Sequence, residues 1–199
     1  GKLIFTAVSG RIDMADGTLA SSAVGQGLIE YHAGVNINIS QLIAADTVLI
    51  ESLDGGIRDQ FSAVNDNNLE SVNIIGTTVT FFAASGIGLA NEDIDTEIDR
   101  LIATNNSQGR FNGGIFIQET DLLYIGENGD GIVNEGGNGP IVIRTISDSL
   151  SVTETVTAQG SGNILLETQS GGGDILLSEA VISDNGHITI QSWNTVRQE

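Results

Sequence analysis

Apolar and polar positions alternate along most of this chain. Clear period-two runs are Leu3-Phe5, Val35-Ile37-Ile39, Val48-Ile50, Val72-Ile74, Val79-Phe81, Ile115-Ile117, Leu123-Ile125, Ile141-Ile143, Ile164-Leu166, Ile175-Leu177 and Ile188-Ile190. Such alternation sends every second side chain to one face of a strand. It predicts many strands of roughly 3–6 residues, separated by turns such as Gly171-Gly172-Gly173 and Asn185-Gly186. Residues 91–104, NEDIDTEIDRLIAT, break the pattern: Ile94, Ile98, Leu101 and Ile102 fall on one helical face. Asn91 stands where an N-cap would, Glu92 and Asp93 suit the positive end of a helix dipole, and Arg100 suits the other end. The expectation is a short helix at 91–104 covering the flank or one end of the body, then a loop over 105–112. Residues 54–68 lack alternation and read as a longer loop or lateral protrusion.

The strands also repeat. LSVTETVTAQGSGNILL (150–166) overlays ILLSEAVISDNGHITI (175–190), pairing Leu150 with Ile175, Val152 with Leu177 and Val156 with Val181. After a one-residue gap at Ser161, Gly162 matches Gly186, Ile164 matches Ile188 and Leu166 matches Ile190. Two columns recur at similar intervals: Ile115, Ile141, Ile164, Ile188, and Leu123, Leu150, Ile175. A sandwich built of short strands has no reason to repeat its sequence every two strands, whereas stacked coils do. The fold expected is a right-handed parallel β-helix (β-solenoid) with a short helical insertion, residues 1–199 forming a single segment of roughly eight coils. Ile141, Ile143, Ile164, Leu166, Ile175, Leu177, Ile188 and Ile190 should point inward.

Composition narrows the function. Twenty-six acids against seven Lys+Arg give a net charge of −19, which repels nucleic-acid backbones and anionic lipid. The excess serves solubility outside the cell or carries a load of divalent cations. With no cysteine, disulfides and thiolate metal sites are excluded. No stretch reaches the ~18 apolar residues of a membrane span. The chain starts at Gly1 without an initiator Met or secretory signal, which reads as a piece of something longer. Its terminal strands should present open edges to flanking coils or to neighbouring protomers end to end.

Residues 86–192 resemble the repeats of giant secreted bacterial adhesins of the filamentous-haemagglutinin type and related parallel β-helix surface proteins. DIDTEIDRLIATNNSQGRFNGGIFIQE, LLYIG, GGNGPIVI and the run LSVTETVTAQGSGNILLETQSGGGDILLSEAVISDNGHITIQ carry the likeness. It implies export, a cell-surface or matrix location, and adhesion or scaffolding, with host or cell-surface glycans as partners. An end-to-end filament subunit and a glycan-binding or glycan-cleaving β-helix are the alternatives.

Candidate chemistry is sparse. Catalysis on a coil face needs acids clustered with a base, and no register in the sequence matches two acids to one of the scattered basic residues. Glu119 with Asp121 reads as a solvated acidic turn, and no enzyme is expected. His187 occupies the repeat position of Asn163, a turn side chain. For calcium, GENGDGIVNEGGNG (126–139) is similar to the loops that bind Ca²⁺ between coils, without their register. Glu127, Asn128, Asp130 and Glu135 are the candidate ligands. No other cofactor is implied. Asn163 and Asn185 are expected to form hydrogen-bonded ladders between coils.

Overall fold

The structure, a computed structural model, describes residues 1–22, 27–60, 72–108, 110–169 and 171–199. It is an all-β parallel solenoid of about eight turns. At about 4.8 Å per turn the body is about 40 Å long. One ladder climbs through Lys2–Ala7, Leu28–Ala33, Thr47–Ser52, Thr78–Ala83 and Arg100–Asn106, each strand parallel to the next. There the ladder forks. Arg100 and Leu101 pair with Tyr124 and Ile125, while Ala103 to Asn106 pair with Ile132–Glu135. Leu123–Ile125, Leu150–Val152, Ile175–Leu177 and Val196–Gln198 continue one branch. Val156–Ala158 and Val181–Ser183 extend the other. The cause is a turn at 126–131 where Gly126, Asn128 and Gly129 take positive φ. A side chain at Gly131 would run into the Thr155 backbone.

A second ladder contains Leu19–Ser22, Gln41–Ala44, Ile74–Ile75, Ile94–Glu97, Ile115–Glu119, Ile141–Thr145, Ile164–Thr168 and Ile188–Gln191. A third, Ile12–Asp13, Ile37–Ile39 and Ile57–Asp59, merges into it, because Ile57 bridges Ile87 and Ile87 bridges Ile115. The merger yields one column of isoleucine through every turn: residues 12, 37, 57, 87, 115, 141, 164 and 188 lie in register. From Ile37 to Ile164 its members are sealed from solvent. Stacked β-branched side chains of one shape fill a narrow core without voids. Two residues earlier, Gly113, Gly139, Gly162 and Gly186 form a matching column at a corner. A Cβ on any of them would collide with the backbone of the preceding turn.

The repeat read from sequence is the structural register, with Leu150 over Ile175, Val156 over Val181 and Ile164 over Ile188. Ile141, Ile143, Ile164, Leu166, Ile175 and Leu177 are buried. Ile188 is 43% exposed and Ile190 partly so, since they stand in the last turn of their ladder.

Residues 91–104 are not helical. They supply Ile94–Glu97 and the first part of Arg100–Asn106. Ile94, Thr96 and Ile98 point inward, the chain bends at Asp99, and Leu101, Ala103 and Asn105 point inward after it. The bend shifts the alternation by one residue, which mimics a helical face. Parallel partners on both sides, such as Ile74 and Glu119 beside Thr96, satisfy the strand backbone and outweigh local preference. The loop expected over 105–112 begins only after Asn106. Within 54–68, Ile57–Asp59 is a strand, and residues 61–68 lie outside the described residues.

Candidate functional site

Alternation in the second ladder turns one residue of each turn outward in a single polar row: Asp95, Gln118, Arg144, Glu167 and Gln191. Beside it runs an apolar row, Phe116, Val142 and Leu165. In three successive turns, Ile115–Glu119, Ile141–Thr145 and Ile164–Thr168 pass straight through. In the turn before them the chain leaves the wall between Ile87 and Ile94. Gly88 has φ +66°, and Leu89 and Glu92 exchange backbone hydrogen bonds in a small hairpin. The hairpin stands beside the flat face and creates a groove of about 340 Å³, lined by Glu92, Asp93, Asp95, Gln118, Thr120 and Arg144 among others.

Side chains in the groove hold one another. Arg144 Nη1 donates to Asp93 Oδ2 at 2.9 Å and its Nε donates to Glu167 Oε2 at 3.0 Å. Gln118 Nε2 donates to Asp95 Oδ1 at 2.9 Å. Register alone matches Arg144 to one acid, and the second comes from outside it. Glu167 follows Arg144 by one turn, while Asp93 reaches it from the excursion, outside any strand pattern. The opposite charges at a one-turn offset were the signal that could have found half of this cluster.

Glu119 is fully buried, against the reading of a solvated pair with Asp121. It is the third inward position of Ile115–Glu119, after Ile115 and Ile117. Thr96 Oγ1 lies 2.6 Å from its Oε2. The amides of Ile98 and Thr120 donate to Oε1 at 3.2 and 2.9 Å. Burial pushes the carboxyl up to about 8, prevailing over the hydrogen bonds from the Thr96 hydroxyl and the Ile98 and Asp121 amides, which act in the opposite direction.

Comparison with family models, with curated proteins and with solved structures returned no match. The functional reading of this β-solenoid therefore rests on its own geometry.

The calcium candidates lie at the fork. Glu127 and Asp130 exchange backbone hydrogen bonds of 2.9 and 3.0 Å across Asn128 and Gly129, whose positive φ values make a tight hairpin turn. Glu154 Oε1 accepts the Gly129 amide. Glu135 closes Ile132–Glu135, its carbonyl accepting from Ser107. Among the described residues no group of three or more His, Asp or Glu side chains is placed to hold a metal ion. His187 donates its amide to Asn163 Oδ1 at 2.8 Å, the coil-to-coil contact expected of a turn position. His32 lies between Glu51, at 2.9 Å, and Glu30, at 3.6 Å. The continuous asparagine contact lies inside the body, where Asn105 Nδ2 donates to Asn134 Oδ1 at 2.7 Å. Asn185 contributes through its backbone amide, donated to Gly160.

Proposed function

We propose that the chain is a structural and adhesive segment of a secreted bacterial surface or matrix protein of the filamentous-haemagglutinin type, an elongated scaffold with no catalytic task. The observation that supports this reading is the unbroken column of isoleucine from Ile12 to Ile188. A narrow core of a few inward columns, about eight turns long, gives length and a large lateral surface for its mass. The strands of each turn pair with those of the turns beside it, the architecture of solenoids that present surfaces along their sides. In this reading the partners are adjacent turns or protomers joined end to end, and glycans on host or cell surfaces. The net charge of −19 keeps such a rod soluble and separate from anionic membranes.

The test is adhesion itself. Beads coated with the chain should stay on cell or extracellular-matrix surfaces under flow better than albumin-coated beads, and soluble chain should compete them off. Retention equal to albumin on every surface would remove the adhesive reading and leave a passive spacer.

A further inference from the structure

We propose that the groove between the hairpin at 89–92 and the row Asp95, Gln118, Arg144 binds a neutral saccharide. This inference does not depend on the adhesive reading, since a saccharide site serves a scaffold of any location. The groove is a built feature: one turn makes an excursion that the three following turns lack, and the flat outer wall beside it becomes concave. Its volume of about 340 Å³ lies at the lower end of the roughly 300–1,000 Å³ common for small-ligand sites.

The chemistry selects the ligand class. Carboxylate, amide and guanidinium groups each offer two hydrogen-bonding atoms side by side, the arrangement that meets adjacent hydroxyls of a sugar ring. Here they are held before any ligand arrives. Asp93 and Glu167 fix Arg144, and Asp95 fixes Gln118, so little side-chain freedom is lost on binding. Arg144 Nη2 and Gln118 Oε1 take no part in those bonds. Ile146, 36% exposed, lines the same groove and offers apolar surface to the C–H face of a ring. Equivalent positions recur at about 4.8 Å along the axis, which suits a linear oligosaccharide lying parallel to the solenoid. Glu92, Asp93 and Asp95 outnumber Arg144, so uronates, sialates and phosphates are repelled. The fixed guanidinium in the middle of the groove disfavours a lysine or arginine side chain. A neutral chain of hydroxyls remains.

The experiment is a heteronuclear NMR titration of the whole chain with neutral cello-, malto- and chito-oligosaccharides, each to about 10 mM, a range that detects weak binding. Polygalacturonate and oligolysine serve as charged probes. One neutral series should shift the Gln118 and Thr120 amides and the Arg144 Nε–H saturably. Gln118→Ala should weaken binding at least tenfold, while Thr189→Ala, exposed in the last turn of the same ladder beyond the groove, leaves it unchanged. Ala90→Trp, which fills the groove from the hairpin side, should abolish binding without touching a hydrogen-bonded side chain. The proposal is overturned if no neutral oligosaccharide moves these signals, if either charged probe binds more tightly, or if binding survives both Gln118→Ala and Ala90→Trp.

Discussion

Glu119 carries a carboxyl group into a core otherwise made largely of isoleucine, leucine and valine. Its surroundings suit the protonated form. An acid O–H on Oε2 would donate to Thr96 Oγ1, and the Thr96 hydroxyl would donate onward to the Gln118 carbonyl 3.4 Å away. Oε1 would still accept the Ile98 and Thr120 amides. With the folded value raised to about 8 from 4.5, the folded state binds the proton more tightly than the unfolded chain. Glu119's contribution is therefore full below about pH 4.5 and is lost as pH rises through about 8, a loss on the order of a few kcal/mol. Glu119→Gln stays neutral at every pH. Urea midpoints should show the variant close to the native protein at pH 5 and more stable than it at pH 8.5, once the shared pH dependence of other groups is subtracted. A difference that does not change with pH would mean that Glu119 does not titrate in this range. Alternation alone places residue 119 inside with 115 and 117. Acids so rarely go inside without a charge partner that the neighbouring Asp121 made a solvated turn the more natural reading.

At the scale of elements, Ile94–Glu97 and Arg100–Asn106 show where local pattern stops being enough. Two inward triplets separated by a bend have the spacing of a helix face, and only the strands one turn before and after decide between them. The same strand explains how two cross-sections coexist in one body. Asn105 lies where the single ladder becomes a fork, and it joins three segments. Its Oδ1 accepts the Gly86 amide, and its Nδ2 donates to the Gly113 carbonyl and to Asn134. Asn134 in turn donates to the Gly139 carbonyl at 2.7 Å. Asn105 is fully buried, so truncation would strand several polar groups away from water. Asn105→Ala should cost about 2–4 kcal/mol, since each buried polar group left unpaired costs about 1–3 kcal/mol. Chemical denaturation would measure the loss. The loop read at 105–112 missed this residue because asparagine followed by Asn106-Ser107 has turn composition. Its inward, ladder-forming role depends on a partner 29 residues away.

For the molecule as a whole, regularity resides in register more than in period. Gly-x-Ile at 10–12, 55–57, 113–115, 139–141, 162–164 and 186–188 places its isoleucine in the one column, while the instances at 27–29 and 173–175 place theirs in the first ladder. From Ile115 onward the turns have nearly constant length, and the repeat is legible as a period. Before it, excursions between ladders change the length of each turn, and a search at fixed spacing loses a motif that is still present. The groove was hidden for the same reason, because one of its walls is such an excursion. A solenoid of this kind gains stability from each isoleucine in proportion to the neighbours stacked on it. Ile115, with Ile87 and Ile141 on either side, is completely buried, whereas Ile188 is 43% exposed and has Ile164 on one side. Ile115→Ala should therefore cost about 2–5 kcal/mol, the range for fully buried aliphatic truncations, and Ile188→Ala clearly less. Hydrogen exchange separates the two more sharply than a melting temperature. Ile188→Ala should raise exchange mainly in the last turns, leaving the middle protected. Ile115→Ala should loosen the turns on both sides of the break. Equal losses at the two positions, spread evenly along the chain, would mean that the body unfolds as one unit and that its column of isoleucine does not act turn by turn.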